Sequence, residues 1–401
     1  MSVKITYSPG PVLVPQPGCR WADTMVLNPG IIKDPESERV HMLFRATGPW
    51  QDAQSPGKRP PYPIFLGYAY SNDHGWSWTA DFSQPAMAPA LADTVEQMYI
   101  HNVDNEMVVN YANGCLEDPR LVALEGRIYL IVACRMFPPG AYWIKDDPMQ
   151  CAPDWAKSND HPFGRAAGEN VTASVLFQVD LNRLASRRYE DAFKYVTHLT
   201  DPQRGENRDV FMFAEKMAIR GEEQYVCIHR PSEPRHYSDS VETDLPSIFV
   251  SSAGGFADFA TDRAVQSVLA EPLFNWEGSR IGGSWPPIRV AADEWLFAYH
   301  GKQDDRTGYT QSFMILKRQA DGLPTVAHRC SDRLMYAQQD WEMPGRFGIP
   351  CIFATGGIVF DDQLIISYGA ADEKVGIAWT NLDRLVSHVR QFDPQGRKTS
   401  A

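Results

Sequence analysis

Asp118-Pro119-Arg120-Leu121-Val122-Ala123-Leu124-Glu125-Gly126-Arg127-Ile128-Tyr129-Leu130-Ile131-Val132-Ala133-Cys134-Arg135 holds two apolar strands around a Glu-Gly turn, with charge at both ends. The same pattern returns four more times. Asn28 to Arg45, Asp209 to Arg230, Trp285 to His300 and Thr355 to Gly369 each read strand, short polar or Gly-containing turn, strand. The second strands end at 45, 135, 230, 300 and 369, in steps of 90, 95, 70 and 69 residues. A third strand with small or polar residues follows each hairpin, as in Phe65–Ser71, Ser174–Gln178, Ser247–Ser252, Ser312–Leu316 and Val375–Trp379.

Short strands at a long regular period predict an all-β fold, a five-bladed β-propeller, whose blades are small sheets set around a central funnel. The chain of 401 residues reads as one such domain, 1–401, with about 80 residues per blade. Blades of about 40–50 residues are usual, so the surplus falls in loops. Insertions are expected near 83–113 and 137–168, the second rich in Pro, Trp and Asp. Helix is expected only as a turn over Asp180–Arg187 and a short terminal helix over Asn381–Val389.

Composition narrows the function. With 38 Lys+Arg against 50 Asp+Glu the net charge is −12, and there is no basic block, which argues against nucleic acid. No apolar run approaches the roughly 20 residues that span a bilayer, and Met1–Gly18 lacks a secretory pattern. Cysteines at 19, 115, 134, 151, 227, 330 and 351 are odd in number and show no CxxC spacing. A reduced, cytoplasmic protein without a metal or disulfide framework is expected.

In a propeller, residues at one end of the inner strands converge. Here the hairpins end in Arg45, Arg135, Arg230, His300 and Gly369, and Asp118, Arg120, Arg208, Asp209, Arg280 and Asp372 lie at or near the strand ends. Cations at equivalent positions of an acidic chain suit an oxyanion such as phosphate. One carboxylate beside such a site fits phosphorolysis, in which phosphate is the nucleophile. Inverting hydrolysis needs a second carboxylate as base.

In combination the motifs resemble glycoside hydrolase family 130, the β-mannoside phosphorylases and their hydrolytic relatives. They are Asn28-Pro29, Leu43-Phe44-Arg45-Ala46, Glu117-Asp118-Pro119-Arg120, Asn207-Arg208-Asp209, Phe213-Ala214-Glu215-Lys216, Ile228-His229-Arg230-Pro231, Arg280-Ile281-Gly282, Tyr299-His300-Gly301 and Tyr368-Gly369-Ala370-Ala371-Asp372. The resemblance implies a five-bladed propeller with its active site in the central funnel. It implies Asp118 as the general acid, acting through the 3-hydroxyl of the mannosyl unit. It implies phosphate held by Arg208, Arg230, Arg280 and His300, and the mannosyl unit met by Asn28, Arg45 and Asp372. Trp285 stands where small residues are the norm, and is expected to narrow the site or stack on a sugar. Arg280 replaces the Lys usual in the phosphorylases, and Ala214 replaces a common Pro.

The expected activity is inverting phosphorolysis of a terminal β-mannosidic bond to α-mannose 1-phosphate. A β-mannosyl oligosaccharide and inorganic phosphate are the expected partners, with no cofactor, metal, nucleic acid or membrane, and relatives imply a homo-oligomer. Two alternatives stay open. A hydrolase on this scaffold would need a base among Glu215, Glu117 and Asp209. A non-catalytic carbohydrate-binding propeller would leave Asp118 structural. Linkage and acceptor sugar are left open by the sequence.

Overall fold

The computed structural model describes residues 3–48, 62–139, 152–304, 306–320, 322–345 and 348–399. Five antiparallel sheets carry the architecture, and they follow one another along the chain as the blades of a propeller. Blade 1 is Met25–Lys33, Val40–Thr47, Phe65–Ser71 and Thr79–Asp81. Blade 2 is Cys115–Leu124, Arg127–Arg135, Ala173–Val179 and Phe193–His198. Blade 3 runs Asn207–Met212 and Met217–Ile219, then Glu222–Pro231, Ile248–Ala253 and Val265–Ala270. Blade 4 runs Arg280–Gly283 and Ile288–Ala291, then Glu294–Lys302, Tyr309–Arg318 and Pro324–Arg329. Blade 5 is Ile352–Phe360, Gln363–Ala370 and Lys374–Asn381, and its fourth strand is Thr6–Tyr7 from the other end of the chain. That strand pairs Thr6 with Trp379 and Tyr7 with Ala378, so the ring is closed by backbone ladder bonds between the two ends of the sequence.

The five hairpins lie where the sequence places them, with one shift. Blade 4's first strand was expected over Trp285–Val290 but is split around 284–287, where Pro286 and Pro287 lack the N–H that a ladder needs. Blade 3's first strand is also split, around 213–216, a stretch without proline. The terminal helix spans Leu382–Val389, capped by the Asn381 side chain on the Arg384 N–H. The turn near 180 is the helix Leu181–Ala185.

Hydrophobic side chains fill the wedges between neighbouring blades. Leu43, Leu130 and Val175 join blades 1 and 2. Phe211, Ile228 and Phe297 join blades 3 and 4. Phe313, Ile352 and Ile366 join blades 4 and 5, and Val26, Phe44 and Ile377 join blades 5 and 1. In the 83–113 excursion a small hairpin, Tyr99–His101 with Met107–Val109, packs on the outside of blade 2. Of the 137–168 stretch, residues 140–151 lie outside the described residues. Among the described residues no helix is long and apolar enough to cross a membrane.

Candidate active site

The funnel opens at one end of the inner strands into a cleft of about 380 Å³, lined by side chains from all five blades. The other end of the same strands lines a separate cavity of about 300 Å³ walled largely by Ile31, Leu121, Pro286 and Ile358.

A repeated backbone device aims the polar residues. Asn28, Asp118 and Asp209 occupy equivalent places in blades 1, 2 and 3, and each has left-handed φ, 47°, 54° and 53°. At each the ladder register slips, between Leu27 and Gly30, Glu117 and Arg120, and Arg208 and Phe211. A bulge of this kind turns one side chain out of the strand's alternation. Asn and Asp accept left-handed φ better than other non-glycine residues, which explains the residue type. Pro29 and Pro119 follow directly, where the missing ladder bond makes an absent N–H harmless.

Blades 4 and 5 supply space instead. A Cβ on Gly282 would stand 2.2 Å from Asp209 Oδ2, and one on Gly369 would stand 2.1 Å from Asn28 Oδ1. Glycine at these strand ends admits the acidic or amide group of another blade. That is why the fifth hairpin ends in Gly where the others end in Arg or His.

Asp118 is buried on the cleft wall. Its Oδ1 accepts a hydrogen bond from Asn28 Nδ2 at 2.7 Å and from Arg45 Nη1 at 3.3 Å. Its Oδ2 has no hydrogen bond from any described residue. Behind it sits Glu117, fully buried, with Arg45 at 3.0 Å, Arg208 at 3.4 Å and Arg135 at 3.7 Å. Burial pushes the Glu117 pKa up, but the three guanidinium groups outweigh it and hold the carboxyl down at about 2. Glu206 pairs with Arg208 at 2.5 Å and Arg135 at 3.1 Å. Burial opposes ionisation there too, and again the arginines keep the pKa below the usual carboxylate range.

Asp209 takes Arg230 at 2.6 Å, Arg120 at 3.1 Å and His300 Nε2 at 3.4 Å. Burial works against its charge, yet Arg230, His300 and Arg120 hold the pKa well below normal. Arg120 is fully buried, and its Nε donates to the Ser284 carbonyl at 2.9 Å, tying blade 2 to blade 4 under the cleft floor. Burial lowers the His300 pKa, Asp209 raises it, and Arg230 and Arg120 lower it further. Its Nε2 faces Asp209, and its Nδ1 is buried without a partner among the described residues.

Arg208 and Arg230 are direct cross-strand partners, and so are Arg280 and Lys302 in blade 4. Like charges opposite one another destabilise a sheet. In blade 3, Glu117, Glu206 and Asp209 offset this. Arg280 has no carboxylate partner among the described residues, and its Nε is buried without a hydrogen bond. Tyr309 and Phe353 complete this side of the cleft, in edge contact at 5.2 Å and 82°. Asp372 lines the cleft on blade 5 and receives Cys351 Sγ–H at 3.5 Å. Burial raises its pKa, Asp118 adds to that, and Arg45 lowers it.

Of the residues singled out in the sequence, Asn28, Arg45, Asp118, Arg208, Arg230, Arg280, His300 and Asp372 line this cleft together. Trp285 does not. It is 1% exposed and packs against Phe313 and over Gly357 in the core between blades 4 and 5. It can neither stack on a sugar nor narrow the mouth. Glu215 is also remote, bonded to Arg289 at 2.7 Å and Trp295 Nε1 at 3.0 Å, while Lys216 pairs with Glu125. Arg135 lines the cleft, but as a partner of Glu206 and Glu117. Lys302, Glu206 and Tyr309 line it without having been singled out. Lys302 could have been found by the alternation from His300, and Glu206 by its place two residues before Arg208.

The model of glycoside hydrolase family 130, described as beta-1,4-mannooligosaccharide phosphorylase, matches residues 167–391. The chain is 26% identical over 370 residues to a 1,2-beta-oligomannan phosphorylase of Thermoanaerobacter sp. (strain X514), covering 92% of this chain and 94% of the relative. It is 30% identical over 187 residues to a beta-1,4-mannooligosaccharide phosphorylase of Ruminococcus albus, covering 46% and 51%. Its fold superposes on a structure of the beta-1,2-mannobiose phosphorylase of Listeria innocua with a TM-score of 0.64 at 16% identity, covering 96% of this chain and 99% of the other.

Proposed function

The chain belongs to glycoside hydrolase family 130, and from that premise we propose that it is an inverting β-mannoside phosphorylase. It cleaves a terminal β-mannosidic bond with inorganic phosphate and releases α-mannose 1-phosphate. The observation that carries the reading is the division of the cleft. One wall holds Asp118 with Oδ2 open. The other holds Arg208, Arg230, Arg280 and Lys302, cations on adjacent strands of two adjacent blades.

Each group has a chemical task. Asp118 gives the leaving oxygen its proton, relayed through the mannosyl 3-hydroxyl. Asn28 and Arg45 fix its Oδ1 so that Oδ2 faces substrate. The guanidinium forks hold phosphate in line with the anomeric carbon, which removes much of the entropic barrier. They also meet charge that shifts in the transition state. His300, its Nε2 facing Asp209, adds to the phosphate side of the cleft. Asp372 bonds a mannosyl hydroxyl.

Of the three carboxylates that the sequence offers as a hydrolytic base, Glu117 and Asp209 are bound to arginines and strongly resist protonation, and Glu215 is outside the cleft. A carboxylate so depressed is a poor proton acceptor at neutral pH. Incubation with α-mannose 1-phosphate and a panel of acceptor sugars tests the proposal by phosphate release. Release with at least one acceptor, lowered about 10²–10⁴-fold in Asp118→Asn, is expected. Equal β-mannoside hydrolysis with and without phosphate would replace it with the hydrolase.

A further inference from the structure

Outside the cleft, one cluster of side chains is arranged for a ligand that the proposed reaction does not use. Cys330 and Asp332 follow the last strand of blade 4, and His388 projects from the terminal helix Leu382–Val389. Cys330 Sγ, a carboxylate oxygen of Asp332 and a ring nitrogen of His388 all lie within 4.8 Å of one another. Cys330 is fully buried, and the His388 side chain is 12% exposed. His388 Nε2 is buried without a hydrogen bond and faces Asp332 Oδ2 at 3.5 Å.

The elements that carry these groups are pinned. Ser312 Oγ donates to the Asp332 carbonyl at 2.8 Å, and Trp276 Nε1 donates to the Ser331 carbonyl at 3.0 Å. The helix buries Leu385, Val386 and Val389 against blades 4 and 5. The His388 ring meets Phe392 edge-on at 5.4 Å. Two fixed elements therefore point a sulfur, a nitrogen and an oxygen at one spot, with the outer face of Asp332 open to water.

We propose that Cys330, Asp332 and His388 form a site for a borderline-soft divalent ion, zinc before magnesium or calcium, which clasps the terminal helix to blade 4. The donor set decides the ion. Thiolate and imidazole select zinc-like metals, while hard cations take oxygen. Bonds of about 2.0–2.3 Å bring ligand atoms somewhat closer than the spread seen here. Water takes the fourth position on the Asp332 side. Binding converts the Cys330 thiol to a thiolate and releases one proton to solvent. Lys398, on the exposed terminal segment, is the cation whose charge acts on both Cys330 and His388.

None of the three residues lines the cleft, so the proposal stands apart from the mannoside reading. Cobalt(II) titration of the chelator-treated full-length protein tests it. A sulfur-to-cobalt charge-transfer absorption saturating at one equivalent, and displaced by zinc, is expected. It should vanish in Cys330→Ser, and the dissociation constant should rise at least about tenfold in His388→Gln. If Cys330→Ser fails to fold, His388→Gln and Asp332→Asn, each more exposed, carry the test. No such absorption in the parent protein, or absorption undiminished in these variants, would overturn the site.

Discussion

Glu117 binds no substrate in this account, yet three arginines of the cleft lean on it. Removing one partner of a buried ion pair strands the others, at about 3–5 kcal/mol. Glu117→Gln should lose stability on that scale. The folded-state pKa is depressed, so the carboxylate's contribution is complete above the ordinary glutamate value of about 4.3 and is lost as pH falls toward about 2. Denaturation of parent and variant should therefore diverge most at pH 7 and converge in acid. A constant gap across that range would refute the role. Lys302 makes a separate test. As the cross-strand neighbour of Arg280, it adds charge where phosphate is proposed to sit. Lys302→Met should raise the phosphate KM about 10–100-fold, the worth of one charged hydrogen bond, and leave the mannoside KM nearly unchanged. Equal effects on both would place Lys302 elsewhere.

At the level of the strand, the device that builds the site is the bulge at Asn28, Asp118 and Asp209 together with the glycines that receive it. Gly369→Ala puts a methyl into Asn28 and displaces the donor that holds Asp118 Oδ1. Overpacking of this kind costs about 1–3 kcal/mol. Thermal denaturation should show that loss, and turnover should fall further than stability explains. Turnover unchanged in a folded variant would mean that Asn28 does not position Asp118. The hairpins, their order and most cleft residues were legible because apolar alternation and the Arg or His that ends four of the five hairpins survive in one dimension. The bulges were not, since left-handed φ leaves only a preference for Asx. Trp285 misled for a related reason. Near a strand end, in a stretch broken by two prolines, alternation no longer says which face a side chain takes, and this one turned into the core. Glu117 was legible as a residue but not as a partner of Arg208, because the two meet across blades.

The molecule as a whole is a ring closed on the edge of blade 5 by the strand Thr6–Tyr7, with further backbone bonds joining Ser8 to Ile377 and Val12 and Leu13 to Val375. Tyr7 also packs edge-on to Tyr368 at 6.2 Å and 84°. Removing residues 1–9 exposes that strand edge and one aromatic contact, worth about 2 kcal/mol or more. A fall in thermal midpoint with turnover retained below it is expected. An unchanged midpoint would mean that the wedges between blades close the ring unaided. Closure matters to function because the cleft draws on all five blades, so its charges hold their distances only if no blade swings out.

The central claim is that phosphate, not water, attacks the mannosyl carbon. Its most direct test is the cleavage of β-mannobiose by the purified protein, with and without inorganic phosphate, followed by nuclear magnetic resonance of the products. The account requires cleavage that depends on phosphate and yields mannose 1-phosphate of α configuration. Free mannose formed at the same rate without phosphate, or a β-configured phosphate ester, would contradict it.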